Sequence, residues 1–356
     1  MTPRELDEDD VRNRPPRRSS RPRSKDRPAH TEAAQGFVVG VDRGRLTCVM
    51  GEPQDAREAD EPIRLVTAVK ARELGRKGVV IGDRVSIVGD ISGAHDTLAR
   101  VVRVAPRVTT LRRTADDTDP VERVIVSNAD QLAIVTALAE PPPRMGMIDR
   151  CLVAAYDAGL EPLLVLTKSD LADPSELLEA YAALDVPFVV WSRGDSPDQL
   201  LEQLGDRLTV LVGHSGVGKS TLVNALVPDA HRSIGVVNAV TGRGRHTSTS
   251  TVALPLPAGG WVIDTPGVRS FGLAHVDPSR VIRAFPELEE GTDGCPRGCS
   301  HDEEECGLDS WVESGRAGVG GRARLASLRR LMVSRQGEEP ENTSAPGAEV
   351  SDGARN

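Results

Sequence analysis

Residues 207–226 constrain the fold of this 356-residue chain more than any other stretch. They read Arg-Leu-Thr-Val-Leu-Val-Gly-His-Ser-Gly-Val-Gly-Lys-Ser-Thr-Leu-Val-Asn-Ala-Leu. Leu208–Val212 is long enough for one buried strand. Gly213 to Ser220 then matches G-x-x-x-x-G-K-[ST], and Leu222, Val223, Ala225 and Leu226 recur at helical spacing. Strand, glycine loop and helix together are the context in which this pattern means a phosphate site. Gly213, Gly216 and Gly218 let the backbone turn tightly and aim its N–H groups inward. The helix beginning near Lys219 adds its positive dipole end. Lys219 can reach terminal phosphates, and the Ser220 hydroxyl can ligate Mg²⁺. Gly213, His214, Ser215, Gly216, Val217, Gly218, Lys219, Ser220 and Thr221 are therefore the expected triphosphate cradle.

The length suggests two or three domains. No apolar run approaches the roughly 18 residues needed to span a membrane, and the charged N-terminus has no apolar core of a secretory signal. A cytoplasmic protein without a membrane is expected. The 5 cysteines are an odd number, which argues against a disulfide framework. Cys48 and Cys151 sit alone in apolar contexts and read as core residues. A net charge of -9 gives no general support for nucleic-acid binding, so such a role must rest on local patches.

Along the chain, residues 1–35 are rich in Arg, Pro and Ser and read as a disordered basic arm. Five short β-rich runs follow: Gly36–Val41, Leu46–Met50, Ile63–Val69, Val85–Val88 and Leu98–Val104. That spacing predicts a small barrel of the OB-fold kind over 36–113. Arg100, Arg103, Arg107, Arg112 and Arg113 gather at its end. From about 121 the pattern becomes α/β. Apolar runs at Gln131–Leu138, Pro162–Leu166, Pro187–Trp191, Leu208–Val212 and Trp261–Ile263 alternate with helical segments such as Ile148–Ala158 and Ser175–Leu184. Such alternation implies a parallel sheet covered on both faces, here over 121–274. Residues 277–290 read as a helix with Asp277 as N-cap and Pro278 at its first position. Leu325, Leu328 and Leu331 mark a further helix carrying Arg322, Arg324, Arg329 and Arg330, either a solvated face or an RNA-binding one. The polar tail from about 336 reads as disordered.

Four further pieces bear on the nucleotide. Asp264-Thr-Pro-Gly267 follows the run Trp261–Ile263; Asp264 can hold Mg²⁺ through water, and the Gly267 N–H can meet a γ-phosphate. Between them, Gly242–Thr251 is rich in Gly and Thr. It suits a switch in which a hydroxyl, Thr249 or Thr247, ligates Mg²⁺ only beside the γ-phosphate. Thr167-Lys168-Ser169-Asp170 follows the run Pro162–Leu166 and is similar to the Asn-Lys-x-Asp turn of GTPases. A carboxylate at Asp170 can accept the N1 and N2 hydrogens of guanine, a donor pair that adenine lacks, while the Lys168 stem covers the base. Ser192, after the next run, is a candidate for the loop against the base. The order is unusual, because the base turn precedes the phosphate loop; both being real implies a circularly permuted GTPase.

Cys295-x3-Cys299-x-His301-x4-Cys306 supplies three thiolates and an imidazole within one turn-rich window. Tetrahedral Zn²⁺ wants that set, and such a site is structural, with no open position for chemistry.

With these motifs in hand the chain resembles the ribosome small-subunit-dependent GTPase A family, RsgA or YjeQ, over about 36–332. The resemblance rests on the permuted order, on Met147–Arg150 and Val165–Leu171, and on Gly213–Thr221 and Gly242–Thr249. It rests also on Asp264–Arg269 with Phe271, and on Phe285-Pro-Glu287 ahead of the Cys/His cluster. It implies three parts: an N-terminal OB-fold, a permuted P-loop GTPase core and a small helical zinc-binding domain at 275–335. It also implies a monomer that binds GTP and GDP and contacts the small (30S) ribosomal subunit and its 16S rRNA. The subunit would stimulate hydrolysis late in assembly, and basic barrel strands and the Arg-rich helix would grip the rRNA. Val268, where many GTPases carry a water-orienting Gln, cannot orient water, and the resemblance assigns that task to His246. Three departures stand out. Thr167 replaces the usual Asn, which is expected to weaken both a bond to guanine N7 and a tether to the phosphate loop. Ser248 replaces a threonine, and the zinc-ligand spacers are shortened. A nucleotide-gated rRNA-binding module with vestigial hydrolysis, or a P-loop ATPase, are the alternatives.

Overall fold

The computed structural model describes residues 30–51, 63–75, 78–94, 96–113, 123–228, 251–257, 259–265, 273 and 276–335. The basic arm, the tail, the loop holding His246, Thr247 and Thr249, and Gly267 lie outside the described residues.

An eleven-stranded sheet runs through the molecule. Its first part is a barrel of β1 (Ala34–Asp42), β2 (Arg45–Met50), β3 (Leu65–Lys70), β4 (Arg84–Val88) and β5 (Ala99–Val104). The strands pair in the order β1-β2-β3-β5-β4, and β4 returns to β1, so the sheet closes on itself. Only β3 and β5 run parallel. Closure follows from the alternation in these strands: Val38, Cys48, Val66, Val85 and Val101 point into one small core. Expected and observed barrel strands agree to within about two residues, a normal spread for element ends.

The second part holds β8 (Gln131–Ala137), β9 (Glu161–Thr167), β10 (Phe188–Trp191), β11 (Leu208–Val212), β12 (Val252–Pro255) and β13 (Trp261–Asp264). The order β10-β9-β8-β11-β13-β12 is parallel except for β12. Every residue of β8 and β11 is buried, as a strand covered on both faces requires. One cover is α1 (Met145–Ala158); α2 (Ser175–Tyr181), α3 (Asp198–Leu204) and α4 (Lys219–Leu226) follow β9, β10 and β11.

Three differences from the sequence reading have physical causes. The barrel and the parallel sheet are continuous, because β12 pairs with β1 at Gly40–Val252. There Phe37 and Trp261 meet edge to face, 4.9 Å between ring centres. A hairpin of β6 (Thr110–Arg113) and β7 (Arg123–Ser127) joins the two parts, and its charge-interrupted strands carry little apolar signal. The single helix expected over 277–290 is broken. Asp277 does cap α5 (Pro278–Val281), accepting from Ser279 N at 2.9 Å. Pro286 then starts α6 (Pro286–Glu289), since proline is tolerated only at a helix start. The chain continues through the Cys/His window into α7 (Gly307–Glu313) and α8 (Gly321–Arg335).

The arginines of α8 do not form a free basic face. Arg330 ion-pairs with Asp149 of α1 at 3.1 Å and lies 4.8 Å over the Tyr181 ring. Its Nη1 donates to Ala180 O, while Arg324 donates to Ala183 O and pairs with Glu287. Arg329 grips Asp309 at 2.6 and 3.0 Å. Of the four arginines named above, only Arg322 is exposed; Arg324 and Arg330 hold α8 onto α1 and the end of α2, and Arg329 ties it to α7. Arg107 of the barrel end is likewise committed to a two-pronged bond with the buried Asp83.

Candidate nucleotide site and metal centre

The carboxyl ends of β8, β9, β10, β11 and β13 share one edge of the sheet, where open α/β sheets bind ligands. At the centre, β11 runs into Gly213–Gly218. Gly213 abuts β8 so closely that a Cβ there would sit 2.5 Å from the Val135 carbonyl oxygen. Gly216 and Gly218 take φ of 85° and 90°, a region side chains rarely adopt. The turn delivers Lys219 to the first turn of α4. Lys219 Nζ donates to Thr265 O at 3.1 Å and stands 3.4 Å from Asp264 Oδ1. Asp264, last residue of β13, is in register with Leu211, two residues before Gly213. Ser220 and Thr221 are exposed at the mouth, and the His214 ring lies 2.9 Å from its neighbour's carbonyl, Ser215 O.

The turn after β9 lies beside this loop. Thr167 is buried, and its hydroxyl donates to Val217 O of the phosphate loop at 2.6 Å. The tether expected to weaken with threonine is therefore present, because the short side chain sits within reach of the loop. Lys168, at φ 58°, turns the chain outward, and its ammonium meets Glu140 O after β8. Asp170 is exposed, and Ser192 at the end of β10 braces it. The Ser192 hydroxyl donates to Asp170 Oδ1 at 2.8 Å and accepts from Asp170 N at 3.0 Å, with Ser169 Oγ 2.8 Å away. Asp195 Oδ2 in turn accepts from Ser192 N at 2.7 Å. The base turn and the phosphate loop, about 50 residues apart in sequence, are one hydrogen-bonded unit.

Similarity to known proteins now bears on this geometry. A family model described as RsgA GTPase matches residues 104–274. The protein of Pseudomonas fluorescens (strain SBW25) named small ribosomal subunit biogenesis GTPase RsgA is 39% identical over 244 residues, 66% of this chain and 69% of that one. Its namesake in Pseudomonas syringae pv. tomato is 38% identical over 266 residues, 72% of this chain and 75% of that one. This chain belongs to the RsgA GTPase family. The crystal structure of YjeQ from Thermotoga maritima superposes with a TM-score of 0.60 at 26% identity, covering 86% of this chain and 99% of that chain. YloQ, described as a circularly permuted GTPase, superposes at 0.59 with 21% identity, covering 89% and 100%, a likeness of fold. This chain thus combines a closed barrel and a permuted motif order with a Cys/His cluster near its C-terminus.

That cluster is compact. The ligand atoms of Cys295, Cys299, His301 and Cys306 all lie within 4.8 Å of one another. Cys295 Sγ is 3.9 Å from Cys306 Sγ and 3.7 Å from His301 Nδ1. Tetrahedral zinc with Zn–S near 2.3 Å separates sulfurs by about 3.8 Å, so the donor set fits such an ion. Within this window His301 and Gly298 both take left-handed backbone, φ 69° and 79°. Arg329 Nε donates to His301 O at 2.8 Å, which ties the knuckle to α8. Burial pushes the Cys295 thiol up and, with the Glu303 carboxylate, takes Cys299 to about 12; burial also pulls His301 down, toward the neutral imidazole that binds metals.

Reasoning from sequence missed Asp149 and Tyr181. Asp149 is fully buried and accepts from the Tyr181 hydroxyl at 2.9 Å. Asp149 stood in the sequence only as part of the Met147–Arg150 motif and as a carboxylate on the apolar side of α1, beside Ile148 and Leu152, with no role assigned to it.

Proposed function

We propose that this chain is a GTP hydrolase that binds the small (30S) ribosomal subunit and acts in its late maturation, with hydrolysis, stimulated by the subunit, timing release. The observation that carries the guanine reading is the 2.6 Å bond from Thr167 to Val217, which joins a base-reading turn to a phosphate cradle. Asp170, oriented by Ser192, would accept from guanine N1 and N2, and Lys168 would cover the base. Gly213 to Thr221 would wrap the phosphates. Ser220, Thr249 or Thr247, and Asp264 through water would hold Mg²⁺, which supplies charge neutralisation between the phosphates. Lys219 would exchange its Thr265 and Asp264 partners for phosphate oxygens. Gly267 would meet the γ-phosphate and His246 would position water.

The names of the relatives support the small subunit as partner, and contact with its 16S rRNA is proposed from local charge. Arg100 and Arg103 stand exposed on β5. On the sheet edge opposite the phosphate loop, Arg107, Arg112, Arg280 and Arg283 line an open cleft of about 1080 Å³. RNA contact is assigned to the exposed Arg100, Arg103 and Arg283, and not to Arg107 and Arg280, paired with Asp83 and Asp157, nor to Arg324, Arg329 and Arg330, which bind within the protein. Zinc at Cys295, Cys299, His301 and Cys306 would be structural. Among the described residues no helix is long and apolar enough to cross a membrane. We further propose a cytoplasmic monomer. We assign 36–113 to the barrel, 121–274 to the GTPase core and 275–335 to the zinc domain.

Multiple-turnover phosphate release with and without small subunits tests the proposal. A rise of at least about tenfold with subunits is expected, given what ordering a catalytic loop contributes. Equal slow rates would favour a nucleotide-gated RNA-binding module.

A further inference from the structure

Guanine offers a protein two polar edges: the N1 and N2 hydrogens, which a carboxylate reads, and the N7 and O6 acceptors, which need donors. Threonine has one donor proton, whereas the asparagine usual at this position has two. In this chain the one proton of Thr167 is committed. The side chain is 2% exposed, and the hydroxyl lies 2.6 Å from Val217 O and 3.2 Å from Thr136 O. Both neighbours are carbonyls of the protein, one on the phosphate loop and one on β8. Gly218 lies against the same side chain, its Cβ position 3.7 Å from the hydroxyl. A rotation to free the proton for a ligand would break the 2.6 Å bond and leave the Val217 carbonyl facing an oxygen lone pair, which costs at least what a single bond to a base returns. The opposite edge is differently served. Asp170 is held by Ser192, and Ser192 by Asp195, so the carboxylate is pre-aimed.

We propose that Thr167 splits the task asparagine performs: it keeps the phosphate-loop tether and abandons N7, leaving base choice to Asp170 on the N1–N2 edge. The inference rests on the guanine-site reading above. The chain should therefore accept guanine nucleotides altered at N7, which an asparagine-bearing turn disfavours.

The test compares GTP, 7-deaza-GTP and ATP in equilibrium competition against a fluorescent GDP, using the full-length protein and Thr167→Asn and Thr167→Val variants. For the parent, GTP and 7-deaza-GTP should bind within about twofold of each other. Thr167→Asn should restore a preference for GTP of roughly fivefold, the worth of one hydrogen bond. Thr167→Val, which loses the tether, should weaken both nucleotides in parallel and leave their ratio unchanged. A parent preference for GTP over 7-deaza-GTP of fivefold or more overturns the inference. So does a Thr167→Val ratio that departs from the parent's, or a Thr167→Asn protein that folds and stays indifferent. Failure of the guanine reading itself looks different: GTP and ATP would then compete equally well.

Discussion

At the scale of single residues, short polar side chains set the geometry of both candidate sites. Ser192 orients a carboxylate, Thr167 joins two motifs, and His301 in a left-handed turn lets four ligands converge within eleven residues of Cys295. Because a Cys3His knuckle closes on its metal, one ligand should decide occupancy. Purified protein should carry about one equivalent of zinc by elemental analysis. Cys299→Ser should drop this well below half and lower the melting temperature of the C-terminal part. Normal zinc content in that variant would remove Cys299 from the site. The phosphate-loop glycines were legible in the sequence because their spacing is itself the geometry. Ser192's bracing role was not, since a serine after a strand looks the same whether it faces solvent or a carboxylate.

At the scale of elements, α8 is a strut. It buries Leu325, Leu328, Leu331 and Met332 and directs three arginines at other parts of the protein. Arg330 and Arg324 donate to carbonyls of Ala180 and Ala183, where α2 ends, a position where cations favour a helix dipole. α2 follows the turn Thr167–Asp170, so the Cys/His knuckle, through Arg329 and α8, is joined by hydrogen bonds to the element behind Asp170. Burial pushes the Asp149 carboxyl up, and Arg330 and Tyr181 pull it back. Arg330→Ala leaves that carboxylate buried and unpaired, which should cost about 3 kcal/mol in chemical unfolding. Without Arg330 the Asp149 pKa rises further above its unfolded value near about 3.9. Stability tied to a raised acid is present below that value and is lost as pH rises through the folded pKa. The deficit of Arg330→Ala relative to the parent should thus be smaller at pH 5 than at pH 8. A deficit that does not change with pH would contradict the buried-pair account. The strands of this molecule were readable from apolar runs because the central ones are buried on both faces. The hairpin β6–β7 was not, since its strands are interrupted by charges, and β12 was not, since four residues ending in proline are too short a run to stand out. The arginines of α8 were misread in part because composition cannot tell a guanidinium facing RNA from one facing Asp149, 181 residues earlier in the chain.

At the scale of the whole molecule, one sheet carries a barrel at one end and a nucleotide edge at the other, and the C-terminal segment folds back on α1 and α2. Circular permutation makes this economical. It puts the base turn early and the phosphate loop late, so that the C-terminal part emerges directly after β13. The permutation matters only if both motifs serve one nucleotide. Xanthine carries an oxo group where guanine carries its 2-amino group, so an amide at position 170 should suit it as a carboxylate suits guanine. The decisive measurement is the competition of GTP, ATP and XTP for the parent and Asp170→Asn proteins. Two bonds to a charged acceptor predict that the parent prefers GTP over XTP by about 100-fold or more, and that Asp170→Asn reverses or abolishes the preference. An Asp170→Asn protein that folds normally and keeps the parent's selectivity would show that the turn after β9 does not read the base bound at Gly213 to Thr221.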